Sequence, residues 1–250
     1  MESLKSLLFI DIETVCDKPS FAQLSEGMQR EWRHKAAQKW REEAAEDVEC
    51  LYYDKAAILA EFGRIVCISI GWILEEKEPF QLFVKSFSGE DEKALLNAFC
   101  HTLGAFADKR GEPVLVGHNI REFDIPYIGR RMLVQGMSLP KCLRLQGKKP
   151  WEIPHQDTLQ LWQFGDAKAY IRLSLLCEMM GIPTPKDDIS GADVTRVFWE
   201  EKNLPRIVHY CEKDVLATAQ VYLHLQGHHD LARSLSVSPK PAAATKVSPN

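Results

Sequence analysis

Asp11-Ile12-Glu13 closes an apolar run, with its two carboxylates two residues apart. On a strand, side chains at that spacing leave the same face, so Asp11 and Glu13 form a like-charged pair at the polar end of a buried segment. Such a pair repels until a cation sits between its members, and hard oxygen donors suit Mg²⁺ or Mn²⁺. Asp-x-Glu on a protein surface is commonplace; here the flanking strand is apolar, where charge is costly without a use. Asp124 follows a second short apolar run and opens a helical pattern, where an N-cap would account for it as well. Tyr210 and Asp214 stand four apart on a long helical stretch, about 40° apart around the axis, and share a face. His209 lies about 140° from Asp214, so an undistorted helix cannot aim both His209 and Tyr210 inward. Imidazole is nonetheless the better base near neutral pH, which keeps His209 as an alternative.

Elements that must position these groups are legible from period and punctuation. Residues 7–13, 64–74, 80–87, 113–117 and 151–155 read as five strands. Residues 91–106, 124–134, 158–164, 173–180 and 204–225 carry helical spacing, with Asp157 a plausible N-cap and Gly181 a stop. Residues 17–60 are charged, mixed in sign and rich in helix formers, and read as a solvated helical insertion. The order implies one α/β domain over 1–230 with a mixed five-stranded sheet flanked by helices. Residues 231–250, mostly Ser, Pro, Ala and Lys, read as a disordered tail.

The chain has 250 residues, 45% of them apolar and 26% charged, with a formal net charge of −4. That composition excludes global disorder and a basic coat, so a polyanion must meet a local patch or bound cations. Seven cysteines without a CxxC pair suggest free thiols in a reducing, cytoplasmic compartment. Residues 7–10 are too short an apolar run for a secretory leader, and the longest such run, 65–74, is too short to span a bilayer. Neither a P-loop nor a Gly-rich cradle is present, so no nucleotide cofactor is expected.

Three ordered motifs, FIDIET, GHNIREFD and YCEKDV, together resemble the DEDD superfamily of 3′–5′ exonucleases in its Tyr branch. They are most similar to the proofreading domain of family B DNA polymerases and to stand-alone bacterial exonucleases related to it. The stretches EFGRIVCISIGW, HQDTLQLW and GIPTPKDDISG extend the likeness over about residues 4–225. The resemblance implies a ribonuclease H-like fold in which Asp11, Glu13, Asp124 and Asp214 hold two divalent cations. It implies that Tyr210 orients the attacking water with Glu13, and that Asn119 and Phe123 lie beside the terminal nucleotide, with Ile12, Thr14 and Lys186 further substrate contacts. The expected substrate is the 3′ end of single-stranded DNA, with RNA possible, and the expected products are nucleoside 5′-monophosphates. No membrane partner is expected.

Residues 129–150 hold Arg130, Arg131, Lys141, Arg144, Lys148 and Lys149 and no acid. They read either as a phosphate track, with Arg130 and Arg131 nearest Asp124, or as a solvated loop. Adjoining Trp151 is a base-stacking face or a core residue. Two other functions stay open: an RNA-trimming exonuclease using His209, and a non-catalytic nucleic-acid-binding module of the same fold.

Overall fold

The first apolar run becomes β1 (Leu7–Cys16), the axis of the molecule. The structure, a computed structural model, describes residues 4–74, 79–183 and 188–239. β1 pairs antiparallel with β2 (Gly63–Leu74), which pairs antiparallel with β3 (Gln81–Ser88). On its other edge β1 runs parallel to β4 (Val114–Gly117), and β4 to the two-residue β5 (Gln156–Asp157). A last two-residue strand, β6 (Ser236–Val237), lies parallel to β3, giving six strands in the order β5-β4-β1-β2-β3-β6.

Two sequence expectations are corrected here. The sheet has six strands instead of five, because a two-residue strand offers no period to read. The strand expected at 151–155 is absent: Pro150–Glu152 form a 3₁₀ turn, and pairing begins at Gln156. Pro150 and Pro154 lack the N–H a ladder needs, which moves the strand past them.

Between β1 and β2 the chain forms α1 (Glu26–Lys39), α2 (Arg41–Glu46) and α3 (Val48–Lys55). Their apolar residues form a second core with Cys16 of β1 and with Phe62, in which Trp32 packs edge to face on Tyr52 and Phe62. After β3 come α4 (Glu92–Arg110) and, beyond β4, α5 (Asp124–Val134). The remaining helices are α6 (Thr158–Gln163), α7 (Leu173–Met180), α8 (Val194–Trp199), α9 (Leu204–Leu225) and α10 (His229–Ser234).

The tail expected to be unstructured from 231 is also corrected. Ala232 and Leu235 are buried against α9, the Leu235 carbonyl accepts from Gln220 Nε2 at 3.1 Å, and β6 follows. Residues 240–250 lie outside the described residues.

Period-2 alternation along β1 assigns its two faces. Leu8, Ile10 and Ile12 pack with Leu96 and Phe99 of α4 and Ile128 and Met132 of α5. Leu7 and Phe9 pack with Val215, Ala219 and Tyr222 of α9. Asp11 and Glu13 continue that second parity. α9 lies close on the sheet at Gly71, where a Cβ would come 2.9 Å from Val215 Cγ1. Among the described residues no helix is long and apolar enough to cross a membrane.

Candidate active site

β4 and β5 run parallel to β1, so the loops leaving their carboxyl ends gather beside it. There they meet the start of α9 around a cleft of about 290 Å³. Asp11, Glu13, Asp124 and Asp214 all line it, as do Tyr210, Asn119, Phe123, Ile12 and Thr14. Four acidic residues, the outermost of them Asp11 and Asp214, thus meet in one place although they are far apart in the chain.

Each is held by identifiable local structure. The β1–β2 register shifts between Glu13 and Thr14, a bulge that re-aims the strand next to the acidic pair. Asp124 is buried in the first turn of α5, and its Oδ1 accepts the Ile12 N–H at 3.1 Å. That bond spans 112 residues and replaces the local N-cap role that the sequence left open. Asp157, by contrast, is an N-cap as expected, accepting from the Leu159 N–H at 3.0 Å. It also accepts the N–H groups of Asn119 and Arg121 at 2.8 and 3.0 Å, fastening the loop that carries Asn119. Asn119 sits at φ +65°, a left-handed conformation that Asn tolerates better than most side chains.

The electrostatics are unbalanced. Burial, then Asp214 and Asp124, hold the Asp11 carboxyl far above the ordinary carboxylate range. Glu13 is raised likewise by burial and then by Asp11. Burial lifts Asp124 to about 7, against the opposing pull of its backbone hydrogen bonds. The Tyr210 phenol is pushed up by burial and then by Asp214, Glu13 and Asp11, and it is hydrogen bonded to Asp214. Asp11 Oδ2 is buried and has no hydrogen-bond partner among the described residues. An orphaned carboxylate oxygen among further buried carboxylates is the donor set of a hard divalent cation, and these residues fit one. One ligand atom each from Asp11, Glu13 and Cys211 lies within 4.8 Å of the others. The Cys211 Sγ donates to the Asp11 carbonyl at 3.4 Å.

Other expected site residues land differently. Tyr210 faces the cleft, whereas His209 is exposed and is not among the lining residues. The Ile12 side chain belongs to the core, and its backbone N–H is what serves the site. The Thr14 hydroxyl donates to the Ala57 carbonyl at 2.8 Å.

Arg131 as a substrate contact is corrected. It is buried and paired with Glu92 at 2.7 Å, on the inward face of α5 that periodicity gives to the core. Arg130 is exposed beside a separate apolar groove lined by Ile125, Leu133 and Leu143. Lys186 lies outside the described residues. The basic run is further diminished by an ion pair of Lys141 with Glu112 at 3.1 Å. Trp151 is 77% exposed, with Lys149 Nζ 5.2 Å from its ring centre, which removes the core alternative.

His118, Ala57, Ile58 and Gly191 line the cleft without having been anticipated. His118 and Gly191 fall inside motif stretches; for Ala57 and Ile58, in the charged segment, composition offered no signal.

A mixed sheet of this order, with acidic groups on its central strand, defines a ribonuclease H-like domain. The chain belongs to the family described as predicted 3′–5′ exonuclease related to the exonuclease domain of PolB, whose model matches residues 58–237. Asp11 and Glu13 precede that stretch, so their place at the site rests on the fold. Among solved structures the chain is similar to the family B DNA polymerase of the hyperthermophilic archaeon Pyrobaculum calidifontis. The TM-score is 0.52 and the identity 15%, over 91% of this chain and 26% of the polymerase. The chain thus spans about a quarter of that enzyme's length, and the likeness concerns the fold. No curated protein matches the chain.

Proposed function

We propose that this domain hydrolyses phosphodiester bonds from the 3′ end of single-stranded DNA and releases nucleoside 5′-monophosphates. One observation carries the reading: Asp11, Glu13, Asp124 and Asp214 line one cleft, and among the described residues no Lys or Arg lines it with them. Burying like charges in this way is costly, and a site for divalent cations is what makes it useful. The four carboxylates would hold a pair of Mg²⁺ or Mn²⁺ ions. When bound, such ions supply a nucleophilic water at neutral pH and charge stabilisation for the leaving oxygen.

The chain's own residues do the rest. Tyr210, held by Asp214, presents its hydroxyl to orient the water, with Glu13 as the second partner. A phenol, with an ordinary pKa of about 10, stays protonated at neutral pH, which suits the Tyr210 hydroxyl to position by hydrogen bonding and not to abstract a proton. Asn119 offers an amide to the terminal nucleotide and Phe123 a ring face. His209 is exposed, so the RNA-trimming alternative built on it has no support from its position.

End-labelled DNA and RNA oligonucleotides incubated with Mn²⁺ or with chelator test this. A cation-dependent ladder shortening from the 3′ end of DNA, abolished in Asp124→Asn, is the expected result. Retention of DNA without cleavage, or a ladder on RNA alone, would overturn it.

A further inference from the structure

Ile58 is an anomaly of the helical segment between β1 and β2. Ala56, Leu59 and Ala60 around it are buried, yet Ile58 is 48% exposed, and it lines the acidic cleft. An apolar β-branched side chain gains nothing there in the free protein. Nor is its backbone loose. The Ala57 carbonyl accepts from Thr14 Oγ1 at 2.8 Å and from the Tyr127 hydroxyl at 2.9 Å. The Ala60 carbonyl accepts from Arg131 Nη1 at 2.9 Å, and the Leu59 carbonyl accepts the N–H groups of Phe62 and Gly63.

Tyr127 and Arg131 follow Asp124 on α5 at helical spacing, three and seven residues on, so they share its face. One rigid helix therefore fixes both the carboxylate and the turn that carries Ile58. Phe123, also lining the cleft, immediately precedes that helix.

We infer that Ile58 is a specificity-determining residue that, with Phe123, takes the 3′-terminal nucleobase in its unpaired state. The inference rests on the exonuclease reading and names what its site selects. Every nucleobase presents the same kind of apolar face, so contact with a ring and an aliphatic side chain is indifferent to sequence. A β-branched residue on a pinned turn has few rotamers and does not yield to a bulkier occupant. A base still paired and stacked in a duplex must first leave it, at a cost of a few kcal/mol, before it reaches this contact. The segment formed by α1–α3 then has a function: Ala56 and Leu59, on either side of Ile58, are packed into the core it builds with Cys16 of β1, which holds the turn at the cleft wall.

The test uses oligonucleotides with 2-aminopurine at the 3′ terminus, titrated in Ca²⁺, whose longer and more flexible coordination disfavours turnover. Ile58→Ala should weaken binding about tenfold and lose most of the terminal fluorescence change, while Ile58→Leu restores both. In Mn²⁺, Ile58→Ala should raise KM on single-stranded DNA with kcat held within about twofold, and should narrow the preference for unpaired over paired ends. Wild-type affinity and fluorescence in Ile58→Ala, with its melting temperature unchanged, would overturn the inference. A wild-type protein that releases no nucleotide in Mn²⁺ defeats the exonuclease reading separately. The Ca²⁺ titration would still report whether Ile58 touches the terminal base.

Discussion

Among the described residues, two clusters of buried ionisable groups are held on opposite terms. Between α4 and α5, the Glu92 carboxylate takes Arg131 Nε and Nη2 at 2.9 and 2.7 Å, Gln135 Nε2 at 2.8 Å and the Ile65 N–H at 2.8 Å. Charge is balanced there, and both oxygens are used. In the cleft, Asp11, Glu13, Asp124 and Asp214 share a wall that among the described residues holds no Lys or Arg, and Asp11 Oδ2 has no partner among them. Buried charge that only holds a fold is neutralised by the chain itself. Buried charge left unbalanced is waiting for something from solution. The contrast separates scaffold from site without reference to any relative.

The comparison breaks most visibly by removing one member at each place. Asp11→Asn or Asp124→Asn should cut hydrolysis by on the order of 10³-fold or more while raising or preserving the melting temperature, since repulsion is relieved. Oligonucleotide assays and calorimetry on the same samples check both halves. Arg131→Met should do the reverse, destabilising by about 3–5 kcal/mol because Glu92 is left buried and unpaired. Urea melts read that loss, and a Glu92→Leu/Arg131→Met double variant should recover much of it.

Tyr210→Phe should slow turnover about 10–100-fold with stability little changed, whereas His209→Ala should leave the rate alone. A rate loss in His209→Ala with full activity in Tyr210→Phe would reverse their roles.

Asp124 is raised in the folded protein from 3.8 to about 7. A carboxyl raised on folding contributes stability that is fully present below its unfolded value and is lost as pH climbs through the folded one. Relative to Asp124→Asn, the cation-free protein should therefore lose stability between about pH 4 and pH 7, with Asp11 and Glu13 acting in the same direction. Mn²⁺ at a hundred times its Kd should add about 2.7 kcal/mol, and more of it at high pH than at low. A flat thermal profile with Mn²⁺ without effect would place the cleft with the balanced region after all.

Much of the fold was legible because its signals are local. The long helix 204–225 carries its own period, and β1, β2 and β3 are apolar or alternating enough to stand out. β5 and β6 were not, since two residues that pair only because a neighbour is present have no period of their own. At the site, the acidic residues stood out by type and order. Arg131 misled because charge alone does not say which way a helix turns: α5 faces it inward to Glu92 while Arg130 looks out. Ala57 and Ile58 gave no sign, because hydroxyls from β1 and α5 bring them to the cleft.

What the residues determined by themselves was the donor chemistry: oxygen ligands, a phenol, a parity that places Asp11 and Glu13 on one face, and a helix phase that keeps Tyr210 with Asp214. Type, period and phase act within a few residues and survive without tertiary contacts. Only the folded chain decided that the four carboxylates meet, that Asp124 bonds across to Ile12, and which cations are neutralised. Those outcomes depend on packing between segments far apart in sequence, where burial and distance, and not composition, set whether a charge is structural or free to act.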